Sequence, residues 1–167
     1  MGRPAMRRSN DGAMTVELTN PAGCNCLALR QAARHVSQFY DQFLAPRGLR
    51  TTQYSILARL QRRGGMTINA LAAELVTDRT TLGRNLRPLQ RDGLISIGPG
   101  QSDRRSKEVR LTAAGAARLR AARKNWDEAQ TQFEAVFGVQ RAKNLRRLLH
   151  EIATEEGIAV SATETAR

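Results

Sequence analysis

Apolar positions set the outline of the chain. Between Cys26 and Leu44 they fall at Leu29, Ala32 and Ala33, Val36, Phe39 and Tyr40, and Phe43. These steps of three and four predict an amphipathic helix, which Pro46 and Gly48 stop. Thr51 to Arg63 repeats the spacing with Tyr54, Leu57 and Leu60 before Gly64-Gly65, and Thr67 to Leu75 repeats it with Ile68, Leu71, Ala72 and Leu75. After a short break at Val76-Thr77, the stretch DRTTLGRNLRPLQRDG places Leu82, Leu86 and Leu89 within about 60° of one another on a helical wheel. Thr77 or Asp78 supplies its N-cap and Gly93 its end. Pro88 removes one backbone donor and predicts a kink between Arg84 and Pro88.

The period then changes from 3.6 to 2. Leu94 to Ile97 and Glu108 to Leu111 read as two short antiparallel strands, joined by a loop built from Gly98, Pro99, Gly100, Ser102 and Asp103. From Thr112 a long helix repeats Leu119, Ala122, Trp126, Ala129, Phe133 and Val136 in heptad-like steps, and a last helix carries Ala142, Leu145, Leu148, Leu149 and Ile152. This seam is too long for a small domain to cover alone, so a second copy of the chain is expected against it. The fold class is therefore mostly α with a small β-wing: a winged helix-turn-helix plus a helical dimerisation region. The expected boundaries are a flexible tail over 1–22, the winged domain over 46–112, the dimerisation region over 23–45 and 113–157, and a flexible tail over 158–167.

Charge sharpens this picture. The 167 residues carry 27 Lys+Arg against 15 Asp+Glu, a net charge of +12. Between Pro46 and Thr112, thirteen basic residues stand against five acidic ones, so two-thirds of the excess lies in the winged segment. On the wheel, Thr80, Arg84, Arg87 and Arg91 lie opposite the leucines, with Thr81 and Asn85 at the flanks. The link between the two apolar runs adds Arg104, Arg105, Lys107 and, within the second strand, Arg110, although no turn needs guanidinium groups. A basic helix face beside a basic loop suits duplex DNA: the helix fits the major groove, and the loop reaches phosphates or the minor groove. Arg84 and Asn85 are the candidates for reading bases, because their side chains can make paired hydrogen bonds to guanine and adenine. Thr80, Thr81, Arg87, Arg91, Arg104 and Lys107 are candidates for phosphate contacts.

The order of elements, and above all DRRSKEVRLTAAG following LRPLQRDGLI, resembles the MarR family of bacterial transcription regulators over about Cys24 to Glu156. The resemblance implies a two-fold dimer whose outer helices interlock while two winged domains sit on one DNA face. It implies that Arg105 enters the minor groove with Asp103 holding its guanidinium, and that Thr80, Thr81, Arg84 and Asn85 face the major groove. It also implies a near-palindromic operator, repression more than activation, and a small anionic aromatic or lipophilic effector held between the dimer helices and the winged domain. By position, Arg30, Arg34, Phe39, Tyr54 and Trp126 are the candidate pocket residues, with ordinary core or surface as the alternative for each.

Cys24 and Cys26 stand at the head of the first helix. Two residues apart on a helix, their side chains point about 200° apart, so a bond between them is geometrically poor. In the peroxide-sensing branch of the family a reactive cysteine near this place bonds to tyrosines. Cys26 and Tyr40 match that pattern, while Thr51 stands where the second tyrosine would be. Redox sensing and plain packing both remain open readings of Cys26.

Other classes find little support. His35 and His150 have no spacing that suits a metal, and the nucleotide-binding and metalloprotease motifs are missing, so no enzyme, metal or cofactor is expected. No run of about 18 apolar residues exists, and the N-terminus lacks the apolar stretch of a secretory signal, so a cytoplasmic protein without a membrane partner is expected. Met6 and Met14 offer alternative starts. The competing function is a winged-helix module that binds proteins without specific DNA binding, which would lack a steep salt dependence on DNA.

Overall fold

The computed structural model describes residues 23–100 and 105–154. The expected tails over 1–22 and 158–167 lie outside the described residues, as do Asp103 and Arg104. The chain divides into two compact units within its first helix, one ending at Val36 and the other running on from Ser37.

The first helix, α1 (Asn25–Leu44), starts one residue earlier than its spacing predicts. From Asn25 to His35 every residue is exposed, including the apolar positions Leu27 and Leu29. Only its last turns carry buried side chains, Tyr40 and Leu44. A 3₁₀ turn, Ala45–Arg47, holds Pro46, and Gly48 follows in the left-handed conformation at φ 67°, as the sequence requires of a stop signal.

Five more helices follow: α2 (Thr51–Arg63), α3 (Ile68–Glu74), α4 (Arg79–Arg91), α5 (Ala113–Phe137) and α6 (Val139–Thr154). The caps are side chains that satisfy otherwise unpaired first-turn N–H groups. Thr67 accepts from Ala70 N–H, Asp78 from Thr81 N–H and Thr112 from Gly115 N–H. Thr67 is thus the cap of α3 and not its first residue. The kink expected in α4 does not interrupt the helix, which runs as one element from Arg79 to Arg91 with Pro88 inside it. Proline removes a single ladder bond, and the buried Leu82, Leu86 and Leu89 on the inner face hold both halves against the core.

The sheet has three antiparallel strands in the order β1 (Met66–Thr67), β3 (Lys107–Leu111), β2 (Ile95–Pro99). The sequence predicts two of them. β2 lies one residue later at its start and runs two further than expected, while β3 begins one residue earlier, because Pro99 and Lys107 still pair across the hairpin. β1 escapes periodicity arguments since two residues cannot show a period; Met66 simply pairs with Val109.

The core lies in the second unit. Leu44, Leu49, Ile56, Leu57, Leu60, Leu71, Leu82, Leu86, Leu89, Leu94, Ile95 and Val109 are nearly inaccessible, and Leu119 and Ala122 of α5 close the cluster. Gly115 belongs to this packing. A Cβ there would stand 2.0 Å from the Leu94 carbonyl oxygen, so α5 can cross the start of the wing only at glycine. The remainder of the α5 seam is mixed: Ala129 is buried, Phe133 half-buried and Val136 89% exposed. Val139, Leu148, Leu149 and Ile152 are exposed as well.

Candidate nucleic-acid interface and cavity

The recognition candidates lie on α4 as the wheel requires. Thr80, Thr81, Arg84, Arg87 and Arg91 are exposed and Asn85 is half-buried, opposite three leucines that are all buried. Asp78 both caps and orients this helix. Hydrogen bonds from the Thr81 side chain and backbone hold its carboxyl below the usual carboxylate range, so it presents a full negative charge to the positive end of the helix. Arg91 is engaged by Asp92, its Nε donating over 2.9 Å. That bond and the aspartate charge raise the arginine's pKa further.

Beside α4 stands the hairpin. Gly100 N–H donates to the Ser106 carbonyl at 2.9 Å, bringing the two arms together at the base of the loop. Arg105 and Lys107 are exposed there. With Arg79, which the sequence reading passed over, they line a cleft of about 470 Å³ that also holds Thr67 and Asn69. Three cationic side chains, from the start of α4 and the base of the wing, therefore share one surface. The fourth expected wing cation behaves differently. Arg110 donates to both carboxylate oxygens of the buried Glu108, at 3.1 and 2.8 Å, and to the Pro99 carbonyl at 3.2 Å. Its partner is internal, and it fastens the wing arms.

Among the expected effector residues, the fold joins Tyr54 and Trp126. Their rings stack at 5.9 Å with planes 6° apart, against a cavity of about 500 Å³ between α2 and α5. Phe39 goes elsewhere, packing on Tyr40, Phe43 and Phe133. Arg30 and Arg34 are exposed on the first half of α1 and do not line this cavity. Its cationic side chains are instead Arg59, Arg62, Arg120 and Arg123. On the helical wheel Arg62 lies about 80° from Tyr54 and Arg123 about 60° from Trp126, so each helix carries one aromatic and cationic face in its sequence, while Arg59 and Arg120 stand about 140° and about 120° from those rings. That the two faces oppose each other is a tertiary fact.

Cys24 and Cys26 are both exposed free thiols in the single chain. The Cys24 sulfur accepts from Leu27 N–H at 3.4 Å. Tyr40 uses its hydroxyl on Gln130, donating over 2.7 Å, and burial together with the nearby Glu134 charge raises its pKa. Among the described residues no group of three His, Cys, Asp or Glu side chains could hold a metal ion, and no helix is long and apolar enough to cross a membrane.

Comparison with known proteins gives a consistent result. The sequence model of the MarR family matches residues 49–107. The structure of the transcriptional regulator MosR from M. tuberculosis is 36% identical, with a TM-score of 0.67, covering 78% of this chain and 96% of that one. The same regulator has also been solved in complex with DNA, at 37% identity. The transcriptional activatory protein BadR of Rhodopseudomonas palustris is 30% identical over 66% of this chain and 61% of its own length. The homoprotocatechuate degradative operon repressor of Escherichia coli is 28% identical over 75% of this chain and 84% of its own.

Proposed function

The chain belongs to the MarR family of transcriptional regulators, and on that premise we propose that it acts as a cytoplasmic homodimer that binds a near-palindromic operator and represses transcription. The observation that carries this reading is the arrangement of one exposed polar helix face on α4 beside the cationic base of the wing, both fixed to one core. In this reading Thr80, Thr81, Arg84 and Asn85 enter the major groove, and Arg84 and Asn85 select bases. Arg87, Arg91, Arg104 and Lys107 bind phosphates, and Arg105, positioned by Asp103, enters the minor groove. Repression follows from occupancy, because a protein seated over a promoter blocks polymerase without further contacts.

Dimerisation is supported by apolar side chains that the single chain leaves uncovered, Leu27 and Leu29 on α1, Val136 on α5 and Val139, Leu148, Leu149 and Ile152 on α6. Burial of such surface is the dominant favourable term in association. We assign residues 23–45 and 113–157 to that role and 46–112 to DNA. The cavity at Tyr54 and Trp126 takes a small effector, which releases DNA by binding the DNA-incompetent state more tightly. Cys26 is a second, oxidant-responsive input in this scheme, since its thiol is exposed.

Fluorescence anisotropy on DNA upstream of the gene tests the proposal at two salt concentrations, with light scattering for mass. The expected result is a dimer whose log affinity falls about linearly with log salt, with a slope of roughly −0.9 per phosphate neutralised. A monomer, or binding indifferent to sequence and salt, overturns it. Peroxide should weaken binding and a thiol reductant restore it; a Cys26→Ser protein that peroxide still releases removes the thiol from the scheme.

A further inference from the structure

The cavity between α2 and α5 is more cationic than a single carboxylate requires. Arg59, Arg62, Arg120 and Arg123 line it, and Arg63 adjoins through a shared partner. Two carboxylates face these five guanidiniums. Glu74 Oε1 lies 2.9 Å from Arg59, 3.6 Å from Arg62 and 3.3 Å from Arg63, and Asp127 pairs with Arg123 at 2.9 Å. Three positive charges are left over, and Arg120 has no acidic partner among the described residues. Partial burial opposes ionisation of Glu74. The Arg63 hydrogen bond and the charges of Arg63, Arg59 and Arg62 outweigh that opposition and keep it ionised, so its carboxylate gathers the α2 arginines at one point.

The other wall is planar. Tyr54 and Trp126 lie parallel, and the Arg123 guanidinium sits 5.5 Å from the indole centroid. Flat π-faces and guanidinium planes are the surfaces on which unstacked bases settle. Duplex DNA does not satisfy such a wall, because its bases are already stacked on one another. A volume of about 500 Å³ suits a molecule larger than a benzoate.

From this juxtaposition we infer that the effector cavity accepts a planar heteroaromatic ring carrying two or more phosphate charges, in its simplest form a nucleoside diphosphate. This rests on the reading of the cavity as an effector site and adds the ligand class. The ring lies against the Trp126 and Arg123 wall. The phosphates bridge Arg120 of α5 to Arg59 and Arg62 of α2, so that occupancy links the two helices.

Trp126 is the chain's single tryptophan, so intrinsic fluorescence of the full-length protein reads this site directly. ADP and GDP are titrated alongside adenosine, pyrophosphate and benzoate. The expected result is saturable quenching by a diphosphate nucleotide, with adenosine, pyrophosphate and benzoate each at least about tenfold weaker. R120Q and R62Q should each weaken the nucleotide about tenfold at unchanged melting temperature, the loss of one charge-assisted hydrogen bond. Benzoate binding as tightly as ADP overturns the ligand class and leaves the effector site standing. Pyrophosphate matching ADP shows a bare anion cluster, and absence of quenching by every probe removes the site; both overturn the inference. Operator anisotropy on the same preparation is independent of these outcomes and reports separately on the regulator reading.

Discussion

Asp41, near the end of α1, accepts two hydrogen bonds from Thr51, the first residue of α2: the backbone N–H at 2.6 Å and the hydroxyl at 2.7 Å. The hydroxyl also lies 3.3 Å from the Ser37 carbonyl. A carboxylate from one helix thereby caps the next. Asp41→Ala leaves the first N–H of α2 without that partner and should cost about 1 to 2 kcal/mol in urea unfolding. Combined with Thr51→Val, the double variant should lose less than the sum of the two singles; strict additivity would show that the pair is not coupled.

Val76 holds φ at 49°, a left-handed conformation that a β-branched residue rarely adopts, while its side chain is 77% exposed. Val76→Gly removes strain of roughly 1 to 2 kcal/mol and adds chain entropy to the unfolded state worth about 0.5 to 1 kcal/mol. The substitution should therefore raise the melting temperature slightly. A lower melting temperature would mean that the valine makes a stabilising contact.

At Gly115 the opposite holds. Gly115→Ala drives a methyl group into the Leu94 carbonyl and should destabilise by about 1 to 3 kcal/mol, whereas a small polar residue at the exposed Ala114 should be neutral. Equal stability of both variants would contradict the close crossing of α5 over the wing.

Glu134 of α5 accepts from Arg146 of α6 at 2.8 Å and from Gln130 at 2.7 Å. The Arg146 bond, then the Gln130 bond, hold its carboxyl below the ordinary value of 4.5. A depressed carboxylate adds stability that is fully present above the unfolded value and lost as pH falls through the folded one. Urea midpoints should therefore hold above pH 4.5 and drop in stronger acid, with a shallower acid loss in Glu134→Gln. An unaltered acid limb in that variant would assign the loss to other carboxylates.

The two classes of α4 arginine separate by binding profile. Arg84→Ala should cost about 1 to 3 kcal/mol on the operator and relax preference at one base position. Arg87→Ala should weaken all DNA alike and reduce the salt slope by about 1. Identical profiles for both would refute the division into reader and anchor.

Much of this fold was legible because its signals are local. The leucine spacing of α4, a cap at Thr77 or Asp78, the opening of a long helix at Thr112, the stop at Gly48 and the change of period at Leu94 each depend on residues a few positions apart. So did the exposed α4 face, since a helix that buries Leu82, Leu86 and Leu89 must turn Arg84 and Arg87 outward. Long-range pairing was not legible. Alternation along the strand puts Glu108 and Arg110 on one side, so that pair lay within reach of the sequence, but nothing near Arg110 says that it also bonds the Pro99 carbonyl across the hairpin. Likewise Tyr54 and Trp126 stand 72 positions apart, and each arginine of their cavity looks alone like an ordinary solvated helix residue. Sequence determined which faces exist, through the fixed geometry of helix and strand. Tertiary packing decided which faces meet, because closure of α2 on α5 is set by the whole core rather than by any one segment.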